Sequence, residues 1–194
     1  MESKLVLDSQ IKVFSGIIQH LVVFSEYIRL SLTPTDCLIS AVNDSHTSLC
    51  NIKLEKAWFA DYMTDTEITL IIHTSILYKI LHVLDATQAI TLLFNTNELV
   101  VKGSSVQSDV VYTIPSQVID IPIIEVPNNI EYAADISIPS KTWCSVLDHL
   151  MIIGEDCKLF VKEDSMNFTS QGDYGSTRID ITIDEMAVSY THLR

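Results

Sequence analysis

Glycine and proline are scarce in this 194-residue chain, five of each, and no stretch carries the glycine spacing of a phosphate-binding loop. Cysteine is equally sparse. Cys37, Cys50, Cys144 and Cys157 form no C-x-x-C pair, so neither a zinc cage nor a disulfide framework is expected, and buried reduced thiols are expected instead. The six histidines, His20, His46, His73, His82, His149 and His192, show no H-x-x-x-H or related ligand spacing. Asp44, Ser45 and His46 adjoin one another, but sequence neighbours do not form a relay, and no G-x-S-x-G elbow is present. The expectation is a protein without catalytic residues, metal or cofactor. Long apolar runs are missing too. The longest, residues 121–124 and 21–24 among them, fall far short of the roughly 20 residues that cross a bilayer, and residues 1–10 lack the apolar centre of a secretory signal. No membrane is therefore expected among the partners.

Basic side chains are the last shortage. Twelve Lys and Arg stand against 25 Asp and Glu, a net charge of −13, and neutralising phosphates requires cations. Taken alone, the charge argues against nucleic acid. What the chain does have is apolar content, 47%, enough to bury one large core or two small ones.

Sliding the sequence along itself reveals a sparse, gap-free internal match in which Glu155 lies 129 residues after Glu26. At the same offset His149-Leu150 falls on His20-Leu21, Lys158-Leu159 on Arg29-Leu30, and Asp173 on Asp44. Each copy opens with a short alternating stretch, residues 4–7 or 135–138, followed by Ser9 or Ser140 as the expected helix N-cap. In the first helix Ile11, Phe14, Ile18 and Leu21 recur at helical spacing, with Lys12, Ser15 and Gln19 opposite. In the second, Trp143, Val146, Leu147 and Leu150 form the stripe, with Lys141, Ser145 and Asp148 opposite. Strands are expected at 27–32 and 36–42 in copy one, and at 157–161 and 165–170 in copy two, joined by turns at 33–36 and 163–165.

Between the copies the pattern predicts a strand at 68–72 and a helix at 74–85. That helix should bury Ile76, Leu77, Ile80, Leu81 and Leu84 and turn Ser75, Lys79 and His82 outward. Strands at 89–94, 98–102 and 109–114 follow. Residues 115–129 contain Pro115, Pro122 and Pro127 without helical period, which reads as an extended connector.

Several segments, taken in order, carry a family resemblance. They are Asn43-Asp44-Ser45-His46-Thr47-Ser48-Leu49, Ile138-Pro139-Ser140 opening a helix, Ile153-Gly154-Glu155-Asp156 closing it, and Met166-Asn167-Phe168-Thr169-Ser170-Gln171-Gly172-Asp173-Tyr174-Gly175. Over residues 4–181 the chain resembles the proliferating cell nuclear antigen type of DNA sliding clamp. Residues 41–62 also resemble the Rad-nine-type subunit of the related heterotrimeric DNA-damage checkpoint clamp, which is the alternative.

The resemblance implies an α+β DNA-clamp fold with two similar domains, each of antiparallel sheets with helices on one face. It divides the chain into a first domain, 1–114, a connector, 115–129, and a truncated second domain, 130–186, while 187–194 fits neither repeat nor family and is expected to be a non-native tail. By the same resemblance the protein is a nuclear processivity factor. It would self-associate into a homotrimeric ring around duplex DNA, accept a clamp loader, and tether DNA polymerase and other proteins through short clamp-binding peptides. A ring holds DNA by topology, so an acidic exterior with a few inner cations is compatible with that role.

Lys12, His20, Lys79, His82 and Lys141 are then the DNA-facing candidates, although Ser145 and Asp148 stand where the family carries arginines. The groove for partner peptides maps to Val42, His46, Leu49, Ile119, Ile121, Ile123 and Ile124. The subunit interface maps to Asp109, Val111, Tyr112, Tyr174, Arg178 and Ile179. A third alternative, from another class, is an acidic peptide-binding module that never encircles DNA.

Overall fold

The computed structural model describes residues 3–84, 89–104, 109–119, 135–162, 165–182 and 187–189. The chain divides into two compact units, Met1–Glu125 and Val126–Arg194. In the first, strand β1 (Ser3–Leu7) leads to helix α1 (Ile11–Phe24) and strands β2 (Tyr27–Leu32), β3 (Asp36–Val42) and β4 (Leu49–Glu55). A short 3-10 turn, Lys56–Trp58, precedes β5 (Asp61–Met63), β6 (Ile68–His73), helix α2 (Thr74–Leu84), β7 (Ala89–Phe94), β8 (Glu98–Ser104) and β9 (Asp109–Pro115).

These strands form two antiparallel sheets, ordered β5-β1-β7-β8-β9 and β4-β3-β2-β6. Alternation explains the faces: Leu5 and Leu7 of β1, and Ile28, Leu30 and Leu32 of β2, point into one hydrophobic cluster that also gathers Phe14, Ile18 and Leu21 of α1 and Leu77, Leu81 and Leu84 of α2. Each such aliphatic or aromatic side chain contributes about 1.5–3 kcal/mol on burial.

Local details depart from the sequence pattern. Ser15, expected on the solvent face of α1, is buried, and Ile76, expected in the core, is 40% exposed. Burial on α2 is confined to Thr74, Leu77, Leu81 and Leu84, a stripe narrower than the expected five residues. Gln10 rather than Ser9 occupies the α1 N-cap, with no side-chain cap bond, and β4 and β5 are strands the pattern reading did not separate.

The second unit contains β10 (Asp135–Ser137), α3 (Ser140–Leu150), β11 (Cys157–Val161), β12 (Ser165–Gly172), β13 (Gly175–Thr182) and β14 (Ala187–Ser189). Its sheets are ordered β11-β12-β13 and β10-β14. Residues 187–189, left outside both domains on sequence, here pair antiparallel with β10. A small core joins Val146 and Leu150 of α3 to Met166, Phe168 and Ile181. Pro139 is the α3 N-cap, so Ser140 is the first helical residue and not the cap. Trp143, expected in the apolar stripe, is 38% exposed, though its ring still meets Phe168 edge-on at 5.7 Å. The expectation of four buried thiols is corrected as well: Cys37 is buried, Cys50 is half-buried, and Cys144 and Cys157 are exposed.

Strand register makes the internal repeat concrete. Arg29 faces Ser40 in the β2–β3 hairpin, and Lys158 faces Thr169 in β11–β12, each residue displaced by the offset seen in the sequence. Beyond β12 the match slips. Six residues, 43–48, link the closing pair Val42–Leu49, whereas only residues 173 and 174 separate Gly172 from Gly175. The gap-free match therefore ends at this loop. Gly172 permits a close approach: a Cβ there would run into the Ile153 carbonyl oxygen, so the chain leaving α3 presses on the end of β12.

Candidate functional site

Helices α1 and α2 read Ile-Lys-Val-Phe-Ser-Gly-Ile-Ile-Gln-His-Leu-Val-Val-Phe and Thr-Ser-Ile-Leu-Tyr-Lys-Ile-Leu-His-Val-Leu. Neither contains an aspartate or glutamate, in a chain with 25 of them. Their inner stripes enter the first core, which leaves Lys12 and His20 of α1 and Lys79 and His82 of α2 exposed. The His82 ring lies 5.6 Å from that of Tyr78 one turn earlier. Valines share the surface, with Val13, Val23 and Val83 all more than half exposed. In the second unit Lys141 and His149 of α3 are exposed, but Asp148 is exposed beside them. A face free of carboxylates tolerates a polyanion that the rest of the surface repels.

The β3–β4 loop is organised by one side chain. Asn43 Oδ1 accepts hydrogen bonds from the backbone N–H groups of Thr47 and Ser48, both at 2.9 Å. Its Nδ2 donates to Ser45 Oγ at 2.9 Å and to Thr47 Oγ1 at 3.1 Å. Main-chain bonds close the loop, from Asn43 N–H to the Ser48 carbonyl (3.1 Å) and from His46 N–H to the Asn43 carbonyl (2.9 Å). His46 sits at φ +54°, in the left-handed region that a residue with a Cβ seldom adopts, and its side chain is exposed. Val42 is buried at the root of the loop and Leu49 is half-buried. Sequence reasoning gave Asn43 no role. The available signal was an asparagine opening a loop of serine and threonine, residues whose short side chains bond to nearby backbone.

Past β9 the chain crosses to the free edge of β6. Ser116 N–H donates to the Asn97 carbonyl at 2.8 Å and Gln117 N–H to the Ile71 carbonyl at 2.8 Å, while Ile71 N–H donates to Ser116 Oγ at 3.0 Å. The two bonds with Ile71 tie the start of the connector to the second sheet, the bond to Asn97 holds it to the β7–β8 turn, and Val118 and Ile119 are left exposed. Ile121, Ile123 and Ile124 lie outside the described residues.

Among the described residues, β9 is one outer strand of the five-stranded sheet and β13 is one of the three-stranded sheet. Asp109 and Val111 are exposed on β9, and Tyr112 packs partly on the core. Tyr174, in the β12–β13 turn, is almost fully exposed, and Ile179 packs on the second core. Arg178 pairs with Asp180 at 3.0 Å. Hydrogen bonds from Arg178 and then Asn167 outweigh desolvation and hold the Asp180 carboxyl below its ordinary range. Among the described residues, no group of three or more His, Cys, Asp or Glu is placed to hold a metal.

Residues 2–121 match the family model of the proliferating cell nuclear antigen N-terminal domain, well over half of the chain. The chain belongs to the proliferating cell nuclear antigen family. It is 26% identical over 147 residues to proliferating cell nuclear antigen of Chaetomium thermophilum, an alignment covering 74% of this chain and 56% of that protein. It is 28% identical over 166 residues to a probable DNA polymerase sliding clamp 2 of Paramecium bursaria Chlorella virus 1, covering 82% and 61%. The match thus spans little more than half the length of these relatives. Solved structures share the fold: proliferating cell nuclear antigen of Thermococcus kodakaraensis superposes with a TM-score of 0.84 at 15% identity, covering 98% of this chain and 78% of that one. The Entamoeba histolytica protein gives 0.85 at 16% identity, covering 98% and 77%.

Proposed function

We propose that this chain is a sliding-clamp subunit, a non-enzymatic processivity factor that encircles duplex DNA and tethers DNA polymerase and other proteins to it. The observation that carries the reading is the absence of any acid from α1 and α2, which leaves Lys12, His20, Lys79 and His82 exposed on an otherwise strongly acidic protein. Segregation of charge on that scale suits a surface facing phosphates, and the small number of cations suits a ring whose grip is topological. Lys141 of α3 is the DNA-facing candidate of the second domain.

Ring closure uses the strand edges. Asp109, Val111 and Tyr112 of β9 in one copy pair with the β13 edge of the next, around Tyr174, Arg178 and Ile179, and three copies close the ring. Such pairing removes exposed backbone that otherwise invites aggregation. In this reading residues 1–114 and 130–186 are the two clamp domains. The connector, 115–129, supplies Ile119, Ile121, Ile123 and Ile124 to a groove completed by Val42, His46 and Leu49, which takes short peptides from partners. A clamp loader opens the ring, and the setting is nuclear.

The test is retention on DNA. After incubation with a clamp loader, ATP and a nicked circular plasmid, the protein is expected to co-elute with the circle and to be released when the plasmid is cut once. Equal retention before and after cutting, or none at all, contradicts encirclement. The net charge of −13 favours one rival, an acidic module that binds peptides without encircling DNA, and that rival predicts peptide binding with no retention on the circle.

A further inference from the structure

We propose that Asn43 is the positioning residue of the peptide groove: its single carboxamide holds His46 in the left-handed conformation that presents the imidazole at the mouth of the β3–β4 loop. The inference rests on the peptide-groove reading above and adds a residue which that reading does not contain. A histidine at φ +54° is in a disfavoured state, so the loop must supply a specific restraint. Two backbone bonds close the loop, and the turn bond to His46 N–H holds residues 44 and 45, but neither bond engages residue 47, which follows His46.

Asn43 does. Its carbonyl oxygen takes the N–H groups of Thr47 and Ser48, and its amide nitrogen reaches the hydroxyls of Ser45 and Thr47, so one side chain engages the chain on both sides of His46. The two hydroxyls also lie 2.9 Å from each other, which completes a closed network beneath the histidine. Ser45, Thr47 and Ser48 are exposed and Asn43 is half-buried at the loop's root, so the network adds little to global stability. Its effect is on geometry: it removes the conformations in which His46 relaxes to negative φ and swings away from Val42 and Leu49. A peptide arriving at a preset His46 need not order the loop.

The donor and acceptor pattern predicts which replacements work. Aspartate keeps the oxygen that accepts from Thr47 and Ser48 N–H, and the Ser45 and Thr47 hydroxyls can rotate to donate to its second oxygen. Alanine loses all four bonds. The experiment titrates a fluorescein-labelled peptide, carrying a glutamine and a spaced aliphatic and aromatic cluster, into the unmodified chain and into Asn43→Ala, Asn43→Asp, His46→Ala and the Asn43→Ala/His46→Ala pair. Asn43→Ala and His46→Ala are each expected to weaken binding by about tenfold, the scale of one anchoring side chain. The double variant should be no weaker than His46→Ala, because Asn43 acts through His46. Asn43→Asp should stay within about twofold of the unmodified protein. Hydrogen exchange at the Thr47 and Ser48 amides should accelerate in Asn43→Ala and not in Asn43→Asp, with the thermal midpoint unchanged in both. Peptide binding that Asn43→Ala leaves intact overturns the proposal alone, as does an Asn43→Asp variant as weak as Asn43→Ala. No binding by the unmodified protein overturns the groove reading and the proposal together.

Discussion

The same helix-and-hairpin plan occurs twice, yet the two copies bury their residues very differently. In the first unit β2 lies between β3 and β6, and Leu30 is 1% exposed. Its repeat counterpart in the second unit, Leu159 of β11, is on an edge strand and 45% exposed. Phe14 of α1 is buried to 1% beneath a core that includes α2, whereas its counterpart Trp143 of α3 is 38% exposed. Apolar spacing alone is nearly identical in the two helices. Burial is decided by what else packs on the element, which is a tertiary property.

Substitutions at matched positions break or sharpen that contrast. Phe14→Ala should cost about 3–5 kcal/mol, the usual range for a buried aromatic, while Trp143→Ala should cost about 1 kcal/mol because it removes mainly one edge-on ring pairing and partial burial. Urea unfolding of both variants checks this, and equal losses would show that the units are packed alike. Next in size is Gly172→Ala. Its new methyl meets the backbone carbonyl of Ile153, which cannot yield as a side chain would, and about 1–3 kcal/mol of stability should be lost. The counterpart Asn43→Ala, on an open loop, should leave the unfolding midpoint in place.

Asp36 gives the smallest effect and a pH signature, since its counterpart Ser165 cannot ionise. Desolvation raises the Asp36 carboxyl, but hydrogen bonds from Thr35, Lys53 and Thr33 outweigh it and leave the folded value lowered. A lowered folded value means the stabilisation is complete above the unfolded carboxylate value of about 3.9 and fades as pH falls through the folded one. Asp36→Asn should therefore lose about 0.5–1 kcal/mol at pH 7, and the deficit should vanish in strong acid, as denaturant melts across pH would register.

Much of this architecture was legible in sequence because period and offset are local. Strands β2, β3, β7 and β11 have the expected bounds, the Thr33–Asp36 turn closes as a hairpin, and the repeat offset reappears as hairpin register. Strand β4 is harder to read: Ile52 and Leu54 alternate with Asn51, Lys53 and Glu55, but Leu49 and Cys50 break the alternation at its start, and in the structure only Leu54 is deeply buried. Exposure of Cys144, Cys157 and Trp143 was not legible, because nothing in the second copy states how thinly it is covered. The acid-free helices could be read directly from composition. The Asn43 network could not, because it depends on a six-residue loop folding back on its own first side chain.

Contact between DNA phosphates and the acid-free helices of the first unit is tested most directly by the salt dependence of binding to a linear duplex. Binding should be weak and should fall steeply with salt, and replacing Lys12 and Lys79 with Ala should reduce the slope of log affinity against log salt by roughly 0.9 for each phosphate no longer neutralised. Lys141→Ala, on a helix that also exposes Asp148, should change the slope less. A slope unchanged by the Lys12 and Lys79 pair would place DNA elsewhere on the protein and contradict the account.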